Sequence, residues 1–233
     1  MKRALVLGGT GAVGSAVVRA LRERGLRVRF TFHTNSARAN ELAALTGAEG
    51  ARVDLTERAT YDGFLRDVSA DPPAVAVHCA GASRSAALED LGDADWDRAV
   101  ELHARSSFAL CRALVPAMGA RGGGDIVLVG ALAPGQTLPL PVHLAASQGM
   151  LGALAMSVAK EAGARGVRVN LVALGILDEG MSRAISAERL DDYKTFSALR
   201  RVGTAAEAAR VIVWLALENT FMTGRTVTCN GGV

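Results

Sequence analysis

The stretch Leu5-Val6-Leu7-Gly8-Gly9-Thr10-Gly11-Ala12-Val13-Gly14 lies near the start of this 233-residue chain. Its apolar residues lead directly into a glycine-rich turn, and residues 14–24 then follow a helical pattern that stops at Gly25. A buried strand that turns into a helix in this way leaves free backbone N–H groups at the helix N-terminus, where a pyrophosphate can bind. The stretch therefore predicts a dinucleotide-binding loop. Its candidate cofactor-binding residues are Gly8, Thr10, Gly11 and Gly14.

The rest of the chain alternates short apolar runs with longer helical patterns. The predicted strands are 4–7, 27–32, 51–55, 74–78, 125–129, 167–172 and 226–229. The predicted helices are 14–24, 36–45, 94–118, 144–162 and 205–217. Repeated strand–helix alternation without a linker predicts an α/β fold: a single Rossmann-like, doubly wound parallel sheet with helices on both faces, in one domain over residues 1–233.

Residues 178–201 break this rhythm, because they are polar and show no regular period. They follow the carboxyl end of a predicted strand, where sheets of this kind bind their ligands. We expect an irregular segment that acts as a lid over a pocket.

Composition excludes several classes of function. Half of the residues are hydrophobic, which allows a large core, and the formal net charge is only +3. No run of five basic residues occurs, so nucleic-acid binding is not expected. No uninterrupted apolar span of 18 residues occurs, and the apolar run near the N-terminus is too short for a signal peptide. Three scattered cysteines predict neither a disulfide framework nor a metal site, so we expect a cytoplasmic protein without a membrane partner.

Further motifs follow the glycine loop in a recognisable order. They are Val53-Asp54-Leu55, Ala80-Gly81, Val169-Asn170, Thr223-Gly224 and Gly231-Gly232. With them, the whole chain resembles the short-chain dehydrogenase/reductase family, and its layout is similar to that of 3-oxoacyl-carrier-protein reductases and polyketide ketoreductases. The resemblance implies that Asp54 meets an adenine ring and that Ala80 and Gly81 line the cofactor site. The family's Thr-Gly-x-x-x-Gly-x-Gly loop reads here Leu7, Gly8, Ala12 and Gly14.

The second strand indicates which dinucleotide would bind. It ends in Phe32-His33-Thr34-Asn35, without an Asp or Glu to hold a ribose 2′-hydroxyl. This favours NADP over NAD as the cofactor, if either binds. The resemblance places His33 where NADP-dependent relatives often carry an arginine. An exposed turn histidine is the alternative.

The family's catalytic Tyr-x-x-x-Lys motif is absent. Tyr61 is followed four positions later by Leu65, and Tyr193 by Ser197. The resemblance implies that every position of the catalytic Ser-Tyr-Lys-Asn set differs. His143 stands at the Tyr position, Ser147 at the Lys position, Gly130 or Ala131 at the Ser position and His103 at the Asn position.

His103 and His143 are the candidate catalytic residues. If the fold is kept, both should face one cavity, and an imidazole can act as acid or base near neutral pH. Such a pair suits proton abstraction beside a thioester carbonyl with protonation elsewhere, as in dehydration or double-bond isomerisation. The alternative is that both histidines arose by mutational drift in a pocket that no longer catalyses a reaction. Ser147 is expected to fill the space of the lost lysine and not to act as a nucleophile.

Three functions remain open at this point. The first is a non-redox catalyst on an acyl substrate that is tethered to a carrier protein or resembles a polyketide. The second is a non-catalytic subunit that partners an active reductase paralogue. The third is an NADPH-dependent ketoreductase with His143 as the acid. The resemblance also implies a homodimer, a homotetramer or a hetero-oligomer, packed through the helices at 94–118 and 144–162.

Overall fold

The computed structural model describes residues 1–131 and 140–233. Within them, seven strands form one sheet in the order β3-β2-β1-β4-β5-β6-β7, and every neighbouring pair is parallel. The strands are β1 Arg3–Leu7, β2 Arg27–Phe32, β3 Glu49–Arg52, β4 Val75–His78, β5 Gly124–Gly130, β6 Val167–Leu174 and β7 Thr226–Cys229. The predicted parallel α/β sheet is confirmed.

Helices connect these strands. They are α1 Ala12–Glu23, α2 Ser36–Thr46, α3 Arg58–Ala70, α4 Asp93–Ala99, α5 Ser106–Gly119, α6 Val142–Ala162, α7 Ala187–Phe196 and α8 Ala205–Leu217. A π-helical turn, Val100–Arg105, joins α4 to α5, so the predicted helix 94–118 is continuous but contains this π-helical turn. Helix α3 was missed, although its buried residues Tyr61, Phe64, Leu65 and Val68 have the i, i+3, i+4, i+7 spacing of an amphipathic helix.

Helices pack on both faces of the sheet, as predicted. Because side chains alternate along a strand, Leu5 and Leu7 of β1 enter one core while Ala4 and Val6 enter the other. The first core is closed by residues of α3, α5 and α6, and the second by residues of α1, α2 and α8. The sheet is therefore buried on both sides, as parallel sheets usually are.

Helix α6 with its short extension, Val142–Arg165, is long and apolar enough to cross a membrane, with a mean hydropathy of 1.3. This is weak evidence for a membrane span, because a core helix passes the same test. Leu151, Ala155 and Ala159 of α6 are buried in the first core. The apolar composition of α6 is accounted for by this packing.

Two expectations need correction. The third strand ends at Arg52 and not at residue 55, so Asp54 lies just beyond the sheet. Residues 178–201 are not irregular, because they contain a 3-10 helix at Gly180–Ala184 and helix α7.

Two hydroxyl groups bind α7 and its end to the C-terminal segment. Tyr193 Oη donates to the Asn230 carbonyl at 2.7 Å, and Ser197 Oγ to the Gly231 carbonyl at 2.9 Å.

The central packing of α5 on the sheet can be tested with Leu114, whose side chain is fully buried in the first core. Leu114→Ala leaves a cavity, so we expect the free energy of unfolding to fall by about 2–5 kcal/mol. Urea unfolding monitored by circular dichroism measures this. Leu45→Ala is the control, since Leu45 is 67% exposed and its loss should change stability by less than about 0.5 kcal/mol. Equal effects of the two variants would contradict the packing described here.

Candidate functional site

The site lies at the carboxyl ends of β1 and β4. The strand order runs to β2 and β3 on one side of β1 and to β4 on the other, which opens a crevice where doubly wound sheets bind ligands. The glycine loop after β1 and the segment Ala80–Gly81 after β4 form its two sides. They approach so closely that a Cβ on Gly8 would lie 2.6 Å from Cα of Ala80.

The glycine loop is held by its own backbone. Gly8 has a φ of +76°, and a Cβ on Gly14 would lie 2.2 Å from the Gly8 carbonyl oxygen, so α1 can start here only with glycine at position 14. Gly11 immediately precedes α1 and has no side chain to cap it. The first N–H groups of α1 are therefore open to an anion. Thr10 lies in the turn between these glycines.

The 3-10 helix Gly180–Ala184 lies between the two sides of the crevice. A Cβ on Gly180 would lie 3.1 Å from Cβ of Ala12, the residue at the family's middle glycine position. Met181 Cε is 3.9 Å from the place of a Cβ on Gly81. The start of the expected lid thus contacts the glycine loop and approaches the β4 segment, and sequence reasoning did not identify Gly180 or Met181. Their role as a lid stays a prediction.

The two remaining predicted cofactor residues contact each other. His33 Nε2 lies 3.2 Å from Asp54 Oδ2, and Arg52 Nε donates to the His33 carbonyl at 3.2 Å. Asp54 Oδ1 accepts hydrogen bonds from the backbone N and the hydroxyl of Thr56. Partial burial opposes ionisation of Asp54, but these hydrogen bonds and the nearby His33 and Arg98 outweigh it and lower its pKa. Beside the end of β2, the structure thus places two basic side chains, His33 and Arg52, with the Asp54 carboxylate next to His33.

The two candidate catalytic histidines lie on neighbouring elements. His103 is in the π-helical turn, and its Nδ1 is 3.0 Å from Ser147 Oγ on α6. His143 is in the first turn of α6, and its Nε2 is 3.5 Å from Ser83 Oγ. Both side chains are buried, and each leaves one ring nitrogen, His103 Nε2 and His143 Nδ1, without a hydrogen-bond partner among the described residues.

His103 also borders the crevice. Its Nε2 lies 3.4 Å from the place of a Cβ on Gly81, so a side chain at that position would press on the ring. Burial lowers the pKa of His103 to about 4; a hydrogen bond with the Ala99 backbone opposes this shift, and the charge of the nearby His143 adds to it. His103 is therefore a neutral imidazole at neutral pH.

A third histidine, His78, lies deeper. Its Nε2 is 2.7 Å from Ser106 Oγ in the core, and burial, with a smaller effect of His103, lowers its pKa to about 3. Because its Nε2 is hydrogen-bonded to Ser106 in the core, His78 has a structural role beneath the site.

Gln148 is a site residue that sequence reasoning missed. Its Oε1 accepts a hydrogen bond from the Ala131 backbone N at 3.1 Å, and a Cβ on Gly130 would lie 2.6 Å from the same oxygen. The amide therefore occupies the space that a side chain at position 130 would need. A glutamine directly after Ser147, in a mostly apolar helix, was the sequence signal for it.

No group of three His, Cys, Asp or Glu among residues 1–131 and 140–233 is arranged to hold a metal ion. A cleft of about 330 Å³ lies between α3 and α5, lined by residues such as Asp62, Arg66 and Arg112. It is separate from the histidines. Residues 132–139, which follow the predicted catalytic serine position, lie outside the described residues.

A parallel sheet in this strand order, with a glycine loop at its switch point, defines a Rossmann-type fold, of the kind that binds dinucleotides. The sequence profile of the family described as enoyl-(acyl carrier protein) reductase matches residues 9–233. The chain belongs to this family of short-chain dehydrogenases/reductases.

Curated relatives cover the whole chain. Nodulation protein G of Rhizobium sp. (strain N33) is 29% identical over 245 residues, which span 100% of this chain and 96% of the relative. The 3-oxoacyl-[acyl-carrier-protein] reductase FabG of Escherichia coli (strain K12) is 29% identical over 237 residues, which span 100% of this chain and 97% of that protein. The resemblance to 3-oxoacyl-carrier-protein reductases is confirmed.

Solved structures show the same fold. BdcA in complex with NADPH superimposes with a TM-score of 0.90 at 27% identity and covers 99% of this chain and 93% of its own. A putative betaketoacyl-ACP reductase superimposes with a TM-score of 0.88 at 29% identity and covers 99% and 97%. Because BdcA binds NADPH, a protein of this fold has space for NADP.

The basic surroundings of β2 predict a preference for the phosphorylated dinucleotide. We expect NADPH to bind more tightly than NADH, and Arg52→Ala to weaken NADPH about 10-fold, the effect of losing one charge-assisted contact. NADH affinity should change by less than about 2-fold, because its adenine ribose carries no 2′-phosphate. Isothermal titration calorimetry measures both. Arg66→Ala, on α3, is the matched control, and an equal loss for NADPH and NADH in Arg52→Ala would contradict the prediction.

The neutral state of His103 predicts acid sensitivity. Below its ordinary pKa of 6.5 the unfolded chain binds a proton at this residue, whereas the folded chain does so only near pH 4. Stability should therefore fall as the pH drops, and His103 should account for about 2 kcal/mol of the loss between pH 7 and pH 5. Urea unfolding at both pH values, in wild type and His103→Asn, measures this difference within each protein.

The exposed His33 supplies the control for this measurement. His33→Asn should change this loss of stability less than His103→Asn does, because the His33 side chain is 47% exposed and its replacement removes only a surface contact with Asp54. If His103→Asn is as acid-sensitive as the wild type, His103 is not held neutral by the fold.

Proposed function

We propose that this protein is an acid–base catalyst of the short-chain dehydrogenase/reductase fold that acts on an acyl thioester, tethered to a carrier protein or polyketide-like. Its reaction is a dehydration or a double-bond isomerisation, carried by His103 and His143 and without hydride transfer. It is a single domain that works in the cytoplasm, where the metabolism of carrier-bound acyl chains takes place.

One observation carries this proposal. Two neighbouring buried imidazoles each present an unpartnered ring nitrogen, at His103 Nε2 and His143 Nδ1. Leaving a buried polar atom without a partner costs about 1–3 kcal/mol, so such atoms mark a place where a ligand or water completes the bonding. We propose that a polar substrate binds between the two histidines and pairs these nitrogens.

The surroundings of the pair also favour proton transfer over hydride transfer. In the family resemblance, Ser147 stands at the position of a lysine that lowers the pKa of the acid and holds the cofactor ribose. Ser147 is neutral, buried and bonded to His103, so it supplies neither function. No cation from this position can stabilise the oxyanion that develops when a ketone is reduced.

A second candidate is an NADPH-dependent ketoreductase with His143 as the acid. It is favoured by the glycine loop, by the basic surroundings of His33 and by relatives that are 3-oxoacyl-carrier-protein reductases. NADPH, when bound, would supply a hydride, and Gly8, Gly11 and Gly14 would hold its pyrophosphate. His143 would have to act without a lysine partner, which is why we rank this function second.

A role alongside a partner is compatible with both. Phe108 on α5 and Met150 and Met156 on α6 are large apolar side chains that are 41–56% exposed. We propose that these two helices pack against another subunit, as a homodimer, a homotetramer or a hetero-oligomer with a reductase paralogue. A purely structural subunit would keep this assembly and show no turnover.

The two catalytic candidates can be separated by one set of assays. Wild-type protein should dehydrate a 3-hydroxyacyl thioester, or move the double bond of an enoyl thioester, with no dependence on NADPH. His103→Asn and His143→Phe should each reduce the rate by about 10²–10⁴-fold, since each removes positioned acid–base catalysis. Absorbance of the conjugated enoyl thioester follows the reaction. If the protein instead turns over a 3-oxoacyl thioester and consumes NADPH, measured as a fall in absorbance at 340 nm, it is a reductase.

A further inference from the structure

Ser147 has one hydroxyl proton and two neighbours. Its Oγ lies 3.0 Å from the Leu144 carbonyl oxygen and 3.0 Å from His103 Nδ1. A carbonyl oxygen can only accept a hydrogen bond, so the Ser147 hydroxyl donates to Leu144. Its oxygen is then the acceptor for a proton on His103 Nδ1.

His103 Nε2 has no hydrogen-bond partner among the described residues, so Nδ1 is the ring nitrogen of His103 that one of them pairs. Ser147 thus stabilises the tautomer that is protonated on Nδ1.

This tautomer leaves a lone pair on Nε2, at the wall of the crevice. Nε2 is buried, and 3.4 Å separate it from the place of a Cβ on Gly81. Since Gly81 has no side chain, no side chain from this position covers Nε2, and we expect a substrate to approach the ring from here. A substrate there meets a nitrogen that accepts a proton and cannot donate one.

We propose that Ser147 is a positioning residue that holds neutral His103 in its Nδ1–H tautomer, so that His103 Nε2 is the proton acceptor of the site and His143 is the proton donor. The assignment of proton acceptor and proton donor rests on the proposed function. It deepens that function by naming the substrate class. The matching substrate is a 3-hydroxyacyl thioester, which carries an acidic C2–H bond beside its carbonyl and a hydroxyl group on C3.

The chemical step balances with these groups alone. His103 Nε2 takes the C2 proton, and the electron pair of the C2–H bond forms the C2=C3 double bond. The C3–O bond breaks, and the leaving hydroxyl takes a proton from His143 and departs as water. His103 ends the step with one proton more and His143 with one fewer, and exchange with solvent restores both.

The tautomer can be measured without any substrate. Long-range ¹H–¹⁵N correlation spectra of protein labelled with ¹⁵N-histidine distinguish a protonated from a bare ring nitrogen, and His103→Asn assigns the signal among the four histidines. Wild type should show protonated Nδ1 and bare Nε2 between pH 6 and pH 8. Ser147→Ala removes the acceptor and should give a mixture of tautomers.

Ser69→Ala is the matched control for this spectrum. Ser69 is also a helix serine whose hydroxyl donates to a backbone carbonyl of its own helix, at Leu65, but it lies on α3. Its loss should leave the His103 signal unchanged. A wild-type His103 protonated on Nε2, or a Ser147→Ala spectrum identical to that of the wild type, would overturn the role of Ser147.

A second measurement isolates the proton acceptor. S-butyryl-N-acetylcysteamine has C2 protons but no hydroxyl to lose, so its deuterium uptake at C2 in D₂O needs only a base. Wild-type protein should catalyse this exchange, and both His103→Asn and Ser147→Ala should slow it, His103→Asn by at least about 100-fold. Ser69→Ala should exchange at the wild-type rate.

The two measurements separate the inference from the function beneath it. Exchange that depends on His143 and survives His103→Asn would overturn the assignment of the acceptor. The expected tautomer without any exchange in the wild type would overturn the substrate class and the proposed function, while the effect of Ser147→Ala on the spectrum would still establish Ser147 as a positioning residue.

Discussion

The geometry of the site depends on the close approach of two backbone segments. The loop after β1 and the chain after β4 come together where a Cβ on Gly8 would lie 2.6 Å from Cα of Ala80, and α1 begins only because Gly14 leaves room for the Gly8 carbonyl. This contact sets the width of the crevice, directs the N-terminus of α1 into it and places Gly81 against His103. The cofactor side and the histidine side of the site therefore depend on one constraint.

The unusual residues of the site fit one another. His103 and Ser147, at positions that the resemblance aligns with Asn and Lys, hydrogen-bond to each other. Gly130, at the Ser position, leaves the space that the Gln148 amide occupies. Unrelated substitutions would leave cavities or unpaired polar groups at these two contacts, and either would cost stability. Mutual pairing argues for a rebuilt pocket over a decayed one.

Much of the fold followed from sequence, because each strand is a short apolar run and the glycine loop fixes where the first one ends. The third strand was displaced, since its residues Glu49–Arg52 lack an apolar pattern, and α7 was missed because only Tyr193 of it is buried. The histidines were found because a motif was missing at their positions. Gln148, Ser83 and Met181 were not, because their partners lie far away in sequence and only the folded chain brings them together.

The electrostatics of the pocket limit the chemistry that it can favour. A buried lysine beside the site would stabilise negative charge on a substrate oxygen, whereas neutral Ser147 and a neutral, buried His103 do not. The same burial that removes charge from His103 leaves its lone pair free at neutral pH. We propose that a site with a serine at the lysine position, and with one nitrogen free to accept a proton beside a second imidazole, is better suited to moving protons between carbon and oxygen than to stabilising an alkoxide. The comparisons show the fold and the family, and the proton-transfer chemistry that we propose rests on the pocket.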